Sequence, residues 1–191
     1  ATCVRAVRRQ GRLEAGDAVL IVGLGAMGQL MVPLARRYGA GLVFGSDFVE
    51  GRRERALRRG ADAAFVPAAM DVAKAVRDRT GGRGADVVVV CPGDPRAIEA
   101  ALDAAAPGAR VVCFTPLAPG TEIRLDASGL YFREITLTQS YSCGPDETRE
   151  ALRLLEAGAV EVRSLVTHRA GLEGVGDAIL RAAGKGEGIK T

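Results

Sequence analysis

The stretch VLIVGLGAMGQLMVPLARRYGAGLVFGSDF, residues 19–48, decides how the rest of the chain is read. It opens on an apolar run, places glycines at 23, 25 and 28, continues with a helical pattern, and ends a second apolar run on Asp47. A glycine pattern of this spacing carries meaning only when a strand precedes it and a helix follows, and both conditions are met here. The first glycine allows a tight turn, the second lets a pyrophosphate come close to the backbone, and the third lets helix and strand pack closely. The helix beginning at Ala26 and Met27 then offers unpaired N–H groups and a partial positive charge to an anion. Asp47, just past the second strand, is placed to accept hydrogen bonds from the adenosine ribose hydroxyls, and its charge disfavours a 2′-phosphate. The expected ligand is therefore NAD rather than NADP, with Arg52 and Arg53 as the residues that could answer a phosphate instead. Pro33 falls inside the helix and removes one of its hydrogen bonds, so a kink or a compensating contact is expected.

Outward from this stretch, short apolar runs alternate with helical patterns, as in a parallel sheet with crossover helices. Strands are expected at Ala18 to Val22, Leu42 to Gly45, Ala64 to Val66, Asp86 to Val90, Arg110 to Phe114 and Ile135 to Gln139. Helices are expected at Ala26 to Tyr38, Glu50 to Arg59, Met70 to Thr80 and Pro95 to Ala106. The run VVVV at 87–90 suits a central strand covered on both faces. REITLTQSYS at 133–142 alternates polar and apolar residues and reads as an edge strand open to another chain, hence a homodimer or homotetramer. A further helix runs from Pro145 to Gly158, and another carries Val175, Ala178, Ile179 and Ala182 on one face.

The fold class is α/β: a doubly wound parallel sheet with helices on both faces, followed by a C-terminal return segment. Residues 1–15 read as an entry helix or linker, 16–145 as the dinucleotide-binding domain, and 146–191 as the return segment. The chain begins ATCVRAV, without an initiator methionine, as a piece of something longer would.

Composition narrows the function classes. The 191 residues carry 26 basic and 23 acidic side chains, interspersed in runs such as EGRRERALRRG, which suits solvated helix faces and not a nucleic-acid stripe. No apolar run approaches the roughly 20 residues of a membrane span, so no membrane is expected. The four cysteines, Cys3, Cys91, Cys113 and Cys143, form no CxxC pair, which argues for a reducing cytoplasm and against a structural zinc site or disulfide framework. His168 is the only histidine and has no partner cluster, so a structural role is expected. Cys3 is expected to be a small buried residue, and Cys143 has no histidine in motif spacing that would make it a nucleophile.

The entry ATCVRAVRRQGRLEAGDAVLIVGLGAMG, the helix EGRRERALRRGAD, the turn VVVVCPG, the strand PGARVVCF, the segment LLEAGAVEVRSLVTHR and the closing GIKT together resemble the zinc-type alcohol dehydrogenases, the medium-chain dehydrogenase/reductase family. The resemblance is nearest to sorbitol and threonine dehydrogenase-like members and implies a Rossmann fold. It implies that a GroES-like catalytic domain, which would carry the zinc ligands, is missing from this chain. Zinc would then belong to the full-length protein and not to these residues. The substrate it implies is a small alcohol or polyol, oxidised by hydride transfer to NAD, and the isolated chain is expected to be inactive.

Position by position, the resemblance places Arg52 near the adenosine end of the cofactor. It places Cys91, Pro92, Phe114 and Thr115 by the nicotinamide ring and ribose, Ser140 and Ser142 by the carboxamide, and Lys190 by the pyrophosphate. The family usually has a glycine near Phe114. Two other readings stay open: a zinc-free NADPH-dependent quinone or enoyl reductase, and a non-catalytic NAD-sensing regulatory domain.

Overall fold

The computed structural model describes residues 1–183. Six strands, β1 (Ala18–Val22), β2 (Leu42–Ser46), β3 (Ala63–Phe65), β4 (Ala85–Val90), β5 (Ala105–Cys113) and β6 (Thr136–Gln139), form one sheet in the order β3-β2-β1-β4-β5-β6. Every neighbouring pair is parallel. The chain builds outward from β1 to β3, returns to β4 on the other side of β1, and builds outward again. The expected doubly wound α/β fold is thus present, with its reversal between β1 and β4.

Alternation along the central strands divides the core in two. Val19 and Ile21 of β1 and Val87 and Val89 of β4 face one layer, together with the buried residues of helices α1 (Thr2–Val4) and α2 (Ala26–Arg37) and with Ala56 of α3 (Glu50–Arg58). Leu20, Val88 and Val90 face the other, with Val76 of α4 (Val72–Arg79) and Ile98, Ala101 and Leu102 of α5 (Pro95–Ala104). Because side chains alternate with a period of two, an uninterrupted VVVV run serves both layers at once. Beyond β5 lie the short helix α6 (Ala127–Phe132), then α7 (Pro145–Glu156) and α8 (Val175–Ala183).

Several element ends differ from those expected. α5 stops at Ala104, and β5 begins at Ala105, well before Arg110. Gly108, at φ +77°, lets the strand carry an irregularity against β4, where the register shifts between Ala85 and Val87. Arg133 donates to the carbonyls of Leu102 and Ala105, holding the end of α5 where the strand takes over. α4 starts at Val72 because the Asp71 side chain accepts from Lys74 N–H at 2.9 Å and caps it.

The entry segment forms a single α turn, Thr2–Val4, that widens into a π-helical turn, Arg5–Gln10. Glu147 of α7 accepts from Arg5 at 3.3 Å and Arg9 at 3.2 Å, which ties the entry segment to the return segment. Its carboxyl is held below the usual glutamate value, first by the Gly144 N–H and then by Arg9 and Arg5.

Pro33 leaves α2 continuous from Ala26 to Arg37. A proline at 33 withholds the donor that the Gln29 carbonyl would normally meet. Arg59 supplies it instead, donating from Nε to Gln29 O at 3.0 Å.

Candidate functional site: a crevice at the carboxyl ends of the central strands

In open α/β sheets the ligand crevice lies beyond the carboxyl ends of the strands, where the strand order reverses. Here that place is the gap between β1 and β4, and the three glycines border it. Gly23 has φ +87°, and a Cβ there would come 2.9 Å from Pro92 Cδ and 3.2 Å from Cys91 Cβ. Only glycine allows this turn so close to the loop after β4. Gly28 is buried, and a Cβ on it would lie 2.1 Å from the Gly23 carbonyl oxygen, so its absence is what lets α2 rest against the turn.

Gly25 differs from both. Its backbone, φ −68° and ψ −166°, is open to any residue, yet nothing lies within 4 Å of where a Cβ would stand. The space is open directly over the first turn of α2, where Ala26 and Met27 sit and where no side chain caps the helix among the described residues. An uncapped helix end beside a clear approach is a place for an anion, and the donor chemistry and the space fit a pyrophosphate.

Asp47 follows β2 and is 8% exposed. Its Oδ2 accepts from Leu24 N–H at 2.8 Å and its Oδ1 from Val49 N–H at 2.8 Å. The Arg52 guanidinium stands 3.8 Å from Oδ2. A carboxylate offers about four acceptor positions, so capacity remains for ribose hydroxyls after these contacts. Arg53 folds back, donating to the Asp47 and Phe48 carbonyls at 2.9 Å each, and leaves the Phe48 ring 73% exposed beside the crevice.

The remaining expected residues gather at the same end of the sheet, with one exception. Cys91 N–H donates to Val22 O at 2.9 Å, and Phe114 N–H to Val90 O at 2.9 Å, so both extend the sheet by one rung. Phe114 packs against the core, and Thr115 is exposed with its methyl 3.3 Å from where a Cβ on Gly93 would be. Ser140 is buried at the end of β6, and its Oγ finds no partner among the described residues. Ser142 is exposed at φ +56°. Lys190 lies outside the described residues.

The thiols here are not nucleophiles. Burial pushes Cys3 up to about 11, and it pushes Cys91 higher still, with Cys3 and Asp47 adding to the effect. Their sulfurs sit against methionines, Cys3 Sγ 3.6 Å from Met27 Sδ and Cys91 Sγ 3.9 Å from Met31 Sδ. His168 meets the Thr167 hydroxyl at 2.9 Å. Among the described residues no three His, Cys, Asp or Glu side chains converge to hold a metal ion, and no helix is long and apolar enough to cross a membrane.

Sequence reasoning missed two residues here. Gln29 is fully buried, and Arg59 repairs α2 behind the loop. A glutamine on the apolar face of a helix, among Met31, Val32 and Ala35, was the available signal for the first.

Comparison with known proteins agrees with this architecture. The family model described as zinc-binding dehydrogenase matches residues 26–157. The L-threonine 3-dehydrogenase of Symbiobacterium thermophilum is 38% identical over 176 residues, which is 91% of this chain and 49% of that protein. The D-guloside 3-dehydrogenase of Escherichia coli K12 is 35% identical over 154 residues, 78% of this chain and 43% of its own. The chain thus spans about half the length of the curated relatives it matches. Among solved structures, a zinc-binding dehydrogenase of Sinorhizobium meliloti 1021 bound to NADP superimposes with a TM-score of 0.90 at 31% identity, covering 98% of this chain and 55% of that one. From its glycine loop, its sheet order and these matches, the chain belongs to the zinc-binding dehydrogenase family.

Proposed function

We propose that this chain is the NAD(H)-binding part of an alcohol or polyol dehydrogenase that moves hydride between a secondary alcohol and nicotinamide. The observation that carries the reading is Gly25: a glycine whose backbone does not require glycine, at an uncapped helix end, facing open space. The pyrophosphate would lie on the N–H groups of Gly25, Ala26 and Met27. Asp47, with Arg52 beside it, would take the adenosine ribose, and the loops at Cys91, Pro92, Phe114 and Thr115 would border the nicotinamide half, with Ser140 and Ser142 at its carboxamide. When bound, the nicotinamide ring supplies the carbon that accepts or releases hydride. The chain's own residues hold and orient it. The relatives' names, L-threonine and D-guloside 3-dehydrogenase, support a small hydroxylated substrate.

The described residues offer no ligand set for the metal in the family's name, and we place its donors, with most of the substrate pocket, in a further GroES-like domain. The isolated chain would then bind cofactor without turning over alcohol. Arg52 near Asp47, and the NADP held by the Sinorhizobium relative, favour a second reading in which the ligand is NADPH and the enzyme a reductase.

Gly25→Ala separates a cofactor loop from a plain tight turn. The expected result is an unchanged melting temperature with NADH binding lost in calorimetric titration. Unimpaired NADH binding in that variant would refute the placement of the pyrophosphate.

A further inference from the structure

Gln29 is 0% exposed on α2, directly behind the glycine loop. Its side-chain nitrogen lies 3.0 Å from the Leu24 carbonyl and 2.8 Å from the Arg52 carbonyl. Two acceptors on one side of an amide identify that side as the NH2 group, and both of its protons are used. The other end, Oε1, is buried without a partner among the described residues. An unpaired buried oxygen of this kind is a standing cost to the fold, which a leucine at the same place would avoid.

What the glutamine does follows from the peptide it grips. The Leu24 residue is held at both ends, its N–H by Asp47 Oδ2 at 2.8 Å and its C=O by Gln29 Nε2. In a planar trans peptide the carbonyl and the next N–H point in opposite directions. With the Leu24 carbonyl drawn inward to Gln29, the Gly25 N–H is turned the opposite way, out of the fold, on the residue whose Cβ position stands in open space. The same amide nitrogen reaches Arg52 O, so it also sets the loop against the start of α3, next to Asp47.

We propose that Gln29 is a positioning residue: it aims the Gly25 N–H at the pyrophosphate and fixes the spacing between the phosphate end and the ribose end of the site. The proposal rests on the dinucleotide reading above for the identity of the ligand, while the orientation of Gly25 stands on the contacts alone. Gln29 touches no ligand itself.

The test is made on the full chain with NADH, adenosine and inorganic pyrophosphate as probes, following the Gly25 amide resonance. In the wild-type chain pyrophosphate should move that resonance. Gln29→Met, which keeps length and volume but donates nothing, should bind NADH and pyrophosphate about tenfold more weakly, the worth of roughly one hydrogen bond, with adenosine binding unchanged. A packing role alone would not split the probes in this way. NADH and pyrophosphate binding within twofold of wild type, or an equal loss of adenosine binding, would overturn the proposal. If Gln29→Met does not fold, Gln29→Leu takes its place, and a Gly25 amide that pyrophosphate leaves unmoved in the wild-type chain overturns the proposal without any variant. A wild-type chain that binds pyrophosphate at Gly25 but no NADH would sink the dinucleotide reading and leave the role of Gln29 standing.

Discussion

Ser140 shows how a single side chain separates stability from binding. Its hydroxyl is buried and unpartnered among the described residues, so in the free protein it contributes desolvation cost and no bond. Ser140→Ala is therefore expected to leave the melting temperature unchanged or slightly raised. It should weaken NADH binding while leaving ADP-ribose binding as it was, because the lost hydroxyl would serve only the nicotinamide half. Equal weakening of both ligands in calorimetry would place Ser140 away from the carboxamide. The placement of the glycines and Asp47 at the crevice was legible in the sequence because it is local: each position follows from spacing within one strand–turn–helix unit. Gln29 and the unpaired Ser140 oxygen were not, since burial without a partner depends on what other elements bring or fail to bring.

At the scale of elements, the instructive case is α2 with Pro33. The sequence announces a missing hydrogen bond but not its repair, because Arg59 lies 30 positions from Gln29 and meets it only after α2 and α3 pack together. Arg59→Met should cost about 1–3 kcal/mol in chemical denaturation, the usual penalty for stranding a buried carbonyl. Pro33→Ala returns the N–H to the helix, so on that background the same Arg59 substitution should cost less. Additive costs in the two backgrounds would mean that Arg59 acts only through its other partners, Glu161 and the Ser164 hydroxyl, each at 3.3 Å. The strand and helix cores were readable from apolar periodicity, as in β1 and β4. The ends of α5 and β5 were not, because Gly108 and Arg133 set them through contacts between neighbouring elements.

At the scale of the whole molecule, β6 closes the sheet with an edge whose outer backbone faces no strand among the described residues. Beside it Tyr131, Phe132 and Tyr141 are 77%, 81% and 87% exposed. An unpaired edge flanked by exposed aromatics is suited to a second copy of the same chain, whose β6 would extend the sheet. The expected result in sedimentation equilibrium is a dimer or a tetramer built from dimers, weakened by Phe132→Asp. A monomer at the concentrations where NADH binds would contradict this assembly.

The glycine loop and Asp47 are expected to hold a dinucleotide and to prefer the one without a 2′-phosphate. With no tryptophan in the chain, calorimetric titration with NADH and, separately, NADPH reads this most directly. Tighter binding of NADH is expected, with loss of that preference in Asp47→Ala. Tighter binding of NADPH would contradict it, showing that Arg52 and Arg53 outweigh the carboxylate.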